Sequence, residues 1–99
     1  MEKLEVIRVQ SSSKDQIYEV LREFHNMQTS KKIDADSSDD EELKEIKFYQ
    51  NSIFQYDLIL ILKWTSKRDS MLKTKLGYIL ADTFSQFGQI SHSIWDFKL

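Results

Sequence analysis

Residues 56–64 read YDLILILKW. As a β-strand this stretch places Tyr56, Leu58, Leu60, Leu62 and Trp64 on one side of the pleat and Asp57, Ile59, Ile61 and Lys63 on the other, because neighbouring side chains alternate between the faces of a sheet. Both sides are oily. A chain of 99 residues has material for about one layer of helices over one small sheet. One face of the strand therefore packs under helices, and something else must cover the second.

Working outward, LEVIRV (Leu4 to Val9) is rich in β-branched residues and is followed by serines, so it reads as a first strand. SSSKDQIYEVLREFHNMQ carries Ile17, Val20, Leu21, Phe24 and Met27 at the spacing of one helical face, with Ser12 set to cap Asp15 or Ser13 to cap Gln16. The apolar rhythm then stops. Residues 29–43 form an acidic, polar surface loop, longer than most connections in a compact domain, and the expectation there is a mobile excursion. KEIKFYQ resumes strand-like alternation around Ile46 and Phe48, Asn51 and Ser52 or the residues after them make a turn or bulge, and the opening stretch completes a hairpin. Asp69 or Ser70 is placed to cap a helix over 70–87, with Leu72, Leu76, Ile79, Leu80, Thr83 and Phe87 on its apolar face and Gly88 as a left-handed C-terminal cap. QISHSIWDF closes the chain as a strand, with Ile90, His92, Ile94 and Asp96 on one face and Ser91, Ser93, Trp95 and Phe97 on the other.

Strand, helix, strand, strand, helix, strand is the ferredoxin-like α+β plan, one domain over 1–99. Right-handed crossovers put both helices on the same face of a four-stranded antiparallel sheet. The other face stays bare, and it would expose Ile59 and Ile61 together with either Leu4 and Val6 or Ile7. An apolar area of this kind marks an interface or a ligand groove. The expectation is a homodimer whose sheets face each other and enclose a cavity, with Ile59, Ile61, Trp95 and Phe97 as interface residues. The phase of the third strand stays open at this level, since Leu58, Leu60 and Leu62 would serve equally well as that face.

Composition removes several functions. A net charge of −2, from 14 basic and 16 acidic residues, includes no basic stripe interleaved with aromatics, so neither nucleic acid nor a membrane surface is an expected partner. There is no cysteine and there are only 2 histidines and 2 glycines, which leaves no thiolate site, no glycine-rich phosphate loop and no metal-ligand cluster of useful spacing. No metal or cofactor is expected. MEKLEVIRVQ lacks the apolar core of a signal peptide, so a cytoplasmic location is the default. Asp34, Asp36, Ser38, Asp40, Glu42 and Glu45 fall at the oxygen-ligand positions of a calcium loop, yet its sixth position is Asp39 where the sharp turn needs glycine. A solvated acidic loop explains that pattern better.

QN at 50–51, YDLILIL at 56–62 and IWDF at 94–97 stand where related motifs stand in another group of small domains. From Leu43 to Leu99 the chain resembles the C-terminal two-thirds of a stress-responsive A/B barrel domain. That group belongs to the dimeric α+β barrels, which include the antibiotic-biosynthesis monooxygenase-like proteins. The resemblance implies sheet-to-sheet dimers with a central cavity. It does not bring the family's histidine chemistry, because Arg8 lies where the first-strand histidine is usual and the histidine-proline-histidine motif is missing.

Polar candidates for such a cavity are Arg8, Asp57 and Lys63 beside Ile59 and Ile61, with His92 if its side of the last strand is the inner one. Arg8 and Asp57 would orient an anionic or carbonyl ligand, or simply pair with each other. An imidazole such as that of His92 is the residue type suited to a general base or polar ligand contact, and equally to a hydrogen-bonded structural histidine. Trp64, Trp95, Tyr49 and Tyr56 offer pocket walls or core, and His25 flanks the first helix as a solvated side chain. Two function classes follow. One is a homodimeric module that binds a small apolar ligand or serves assembly; the other is a cofactor-independent monooxygenase-like or isomerase-like enzyme acting on a small apolar or aromatic substrate. Arg8, Asp57 and His92 lining one cavity would favour the enzyme, and a cavity filled by Ile and Leu side chains would favour the module.

Overall fold

The computed structural model describes residues 2–29, 41–66 and 72–96. The order is β1 (Glu2–Gln10), α1 (Lys14–Thr29), β2 (Glu41–Gln50), β3 (Asp57–Ser66), α2 (Lys75–Phe84) and β4 (Gln89–Asp96). The strands form one sheet in the order β2-β3-β1-β4, antiparallel at every neighbouring pair. This is the ferredoxin-like arrangement, with the two long apolar strands at the centre.

Register explains why the helices choose one face. Ile7 pairs with Leu60 and Val9 with Leu58, and all four side chains are buried under the helices. Ile17, Val20, Phe24 and Met27 of α1 and Leu76, Leu80 and Phe84 of α2 complete that core. Three rings tie the layers together: Phe24 meets Phe48 edge-on at 4.6 Å, and Phe48 lies 6.5 Å from Phe84. Leu62 and Trp64 extend the same row, so the leucine set of β3 faces the helices.

β2 is longer than its alternation suggested. Leu43 and Ile46 are three apart and would fall on opposite faces of a regular strand. A bulge at Lys44 restores the phase: Leu43 lies opposite Trp64 and Glu45 opposite Lys63, after which Ile46 and Phe48 also reach the helix side. The helix expected over 70–87 is shorter at both ends. Thr74 caps it, its hydroxyl accepting the Gly77 N–H at 2.9 Å, and Leu72 lies before it, exposed. Ser85 ends the helix with its N–H on the Ala81 carbonyl. Gly88 is not the left-handed cap expected of it. Glycine is required there because a Cβ would stand 2.5 Å from the Gln10 carbonyl oxygen. Leu21 and Ile79 lie at the margin of the helix layer, partly exposed; Phe84 supplies a wholly buried ring, and Phe87, beyond the end of the helix, still packs partly buried against the core. At α1, the Ser13 hydroxyl accepts the Gln16 N–H and the Gln16 side-chain Oε1 accepts the Ser12 N–H, so the capping box uses the serine pair. Most of the acidic loop, together with Asp69, Ser70 and Phe97, lies outside the described residues.

Candidate functional site

The face away from the helices is built from alternate residues of all four strands. Leu4 and Val6 of β1 and Ile59 and Ile61 of β3 form its apolar floor, under a groove of about 510 Å³ flanked by Trp95, which is 59 % exposed. Its charged groups are paired within the chain. Arg8 binds Asp57 through Nε and Nη2 at 2.9 and 2.6 Å, Lys63 lies 3.5 Å from Glu2, and Lys47 lies 3.1 Å from Glu45. Arg8 and Asp57 meet diagonally, since Arg8 stands opposite Ile59 and Asp57 opposite Gln10.

Five of the nominated residues, Arg8, Asp57, Ile59, Ile61 and Lys63, thus share one face, and Trp95 and Tyr49 lie on it too. His92 does not. It stands opposite Ile7 on the helix side, where its Nε2 donates to Glu5 at 2.6 Å and its ring meets Tyr78 edge-on. The cavity of Arg8, Asp57 and His92 that would have favoured an enzyme is therefore not assembled. Trp64 is likewise core, and His25 is exposed on α1.

Sequence reasoning missed the group that holds His92. Glu5 is wholly buried, and its carboxylate accepts from Trp64 Nε1 at 3.1 Å, the Thr74 N–H at 3.0 Å, the Thr74 hydroxyl at 2.6 Å and His92 Nε2. It rests at the N-terminus of α2, where the helix dipole favours an anion. Gly77 makes this possible, since a Cβ there would lie 2.0 Å from Glu5 Oε2. Lys3, next on the same row, is also buried and donates to Glu41 and to the Leu72 carbonyl. One signal was available: a glycine inside a helix costs about 1 kcal/mol against alanine, which argues for a close approach at Gly77.

The loop from Asn51 to Tyr56 closes one end of the open face. The Asn51 side-chain oxygen accepts the N–H groups of Ile53 and Phe54 at 2.8 and 2.9 Å, and the Asp57 N–H returns to the Phe54 carbonyl at 3.0 Å. Gln50 holds the Gln55 carbonyl, and the Ser11 N–H holds that of Tyr56. These bonds pin the loop backbone at several points, while the Ile53 and Phe54 side chains are 78 % and 68 % exposed.

Hydrogen bonding from Arg8 is the main cause that lowers the Asp57 carboxyl below its ordinary 3.8; partial burial opposes it and the charge of Arg8 adds to it. A carboxyl lowered in the folded state contributes stability above its unfolded pKa and loses it as pH falls through the folded value. Wild-type stability should therefore fall more steeply than that of Asp57→Asn as pH drops below the ordinary carboxyl value of 3.8. Thermal unfolding of both across that range checks this, and parallel curves would remove any role for the pair in stability.

Fold and face together define a ferredoxin-like α+β domain with an apolar, internally charge-balanced sheet surface. No family model matches the chain, and neither a curated protein nor a solved structure matches it. Among the described residues, no group of three or more His, Asp and Glu side chains is placed to hold a metal, and no helix is long and apolar enough to cross a membrane.

Proposed function

We propose that this chain is a homodimeric α+β barrel module of the kind the stress-responsive A/B barrel domains exemplify, its two sheets face to face around a small-ligand space. The observation that carries the reading is the open face itself. Leu4, Val6, Ile59 and Ile61 form a continuous floor there, and removing such a floor from water is worth about 25 cal/mol per Å². A second copy fits this face for two reasons. Its charges are already neutralised in pairs within one chain, so two such faces meet without like-charge repulsion. Its size also suits: four strands of eight to ten residues, about 4.8 Å apart and rising about 3.3 Å per residue, project roughly 600 Å². That is on the scale of the about 800 Å² per partner in a standard interface.

A non-catalytic module is favoured over an enzyme because the chain's acid–histidine contact, Glu5 with His92, is buried under α2 with the carboxylate already accepting from Trp64 and Thr74. The carboxylate itself is wholly buried and has its acceptor sites taken up within the chain. Light scattering at micromolar concentration should return twice the chain mass. Ile61→Lys places a charge on the proposed contact and should give a folded monomer. A wild-type monomer, or a dimer that survives this substitution, would refute the assembly.

A further inference from the structure

Beside the Asn51–Tyr56 loop lies a pocket of about 580 Å³, walled by Ile53, Phe54 and Tyr56 and floored by Arg8 and Asp57 with Gln10 at its rim. We propose that this pocket binds a small monocarboxylate with an aromatic or branched apolar body, the carboxylate on the free edge of Arg8 and the body against Ile53 and Phe54. The inference rests on the ligand-binding half of the proposed function and not on the dimer, because every wall belongs to one chain.

The Arg8–Asp57 pair is neutral in sum but not in what it shows a ligand. Asp57 is 7 % exposed, whereas the Arg8 side chain is 45 % exposed, so the cation lies on the pocket side and its counter-charge beneath. Asp57 takes one N–H from Nε and one from Nη2. A guanidinium has five N–H groups, so three remain, two on Nη1 and one on Nη2, and the Nη1–Nη2 edge presents the planar fork that suits a second carboxylate. Asp57 thereby fixes the plane of the fork before any ligand arrives, which lowers the ordering cost of binding. The pocket holds a single cation and no glycine-rich loop or helix N-terminus, which suits a monoanion better than a phosphate.

The loop gives the second reason. Two large apolar side chains stand in water on a backbone whose amides and carbonyls hold them there. The volume falls within the roughly 300–1,000 Å³ of small-molecule sites, which pair apolar walls with a few placed polar groups. Charge-assisted recognition at Arg8 would set orientation, and the loop would set affinity for the body.

Phenylacetate and its neutral amide, phenylacetamide, separate these contributions. Followed by NMR on the labelled protein, phenylacetate should saturate with shifts at Arg8, Ile53 and Phe54, and should bind about tenfold or more tightly than the amide, the worth of one hydrogen bond to a charged group. Arg8→Gln should bring the two ligands to equal affinity. Phe54→Ser, on an exposed loop and safe for folding, should weaken both by a similar factor and keep their ratio. Equal binding of acid and amide by the wild type, an undiminished ratio in Arg8→Gln, unchanged affinity in Phe54→Ser, or no saturation with either ligand overturns the proposal. The dimer stands or falls separately, on the light-scattering mass.

Discussion

Glu5→Ala should cost the domain about 3–5 kcal/mol, a large share of the roughly 5–15 kcal/mol that holds a domain folded. The loss comes from what the carboxylate leaves behind. Trp64 Nε1, the Thr74 N–H and hydroxyl, and His92 Nε2 all donate to it. Each buried donor left without an acceptor costs about 1–3 kcal/mol. Glu5→Gln keeps the shape but turns an amide NH₂ toward donors, so it should fall between the wild type and alanine. Urea unfolding followed by tryptophan fluorescence would read both, since Trp64 is a partner of the lost group.

Gly77 makes this prediction sharper. In the wild-type background Gly77→Ala drives a Cβ to 2.0 Å from Glu5 Oε2, and should cost about 1–3 kcal/mol as the carboxylate is pushed off its donors. With Glu5 replaced by alanine the obstacle is gone, and the higher helix propensity of alanine should make the same substitution neutral or stabilising by up to about 1 kcal/mol. The double-mutant cycle therefore has a coupling of opposite sign to the single costs. Additive effects would show that Gly77 and Glu5 do not make the contact described.

The sites differ in how far the sequence could reveal them. Alternation alone put Arg8, Asp57, Ile59, Ile61 and Lys63 on common faces of their strands, because the period of two is a property of the backbone. It could not show that Arg8 and Asp57 meet, since that depends on the register in which Asp57 faces Gln10. The last strand was grouped correctly as Ile90, His92, Ile94 and Asp96 against Ser91, Ser93 and Trp95, but both groups contain apolar side chains. Which group turns to the helices is decided by Glu5, 87 positions away in the chain. The true start of α2 was hidden for the same reason: Thr74 was not read as a cap, and its N–H donates to Glu5 rather than to a neighbour in sequence. The bulge at Lys44 lay just where the apolar pattern of β2 fades into the acidic stretch.

Leu60→Lys and Ile61→Lys, one residue apart, should behave as different classes of mutation. Leu60 is 1 % exposed, lies opposite Ile7 on one side and Phe48 on the other, and sits under the helices. An ammonium there has no acidic partner among the described neighbours on that row, and must either stay charged in a dry core or give up its proton; either route costs several kcal/mol. The chain should lose its helical and sheet signals at neutral pH. Ile61 is only partly buried and faces the open groove, so its lysine can hold its ammonium in water while the stem lies along the floor. In a single chain that change should shift stability by less than about 1 kcal/mol, whatever it does to assembly. Circular dichroism melts of the two variants at one concentration suffice to compare them. A folded Leu60→Lys, or an unfolded Ile61→Lys, would mean that β3 turns its leucines to solvent and its isoleucines to the helices, and the open face on which both proposals rest would have to be rebuilt from the opposite set of residues.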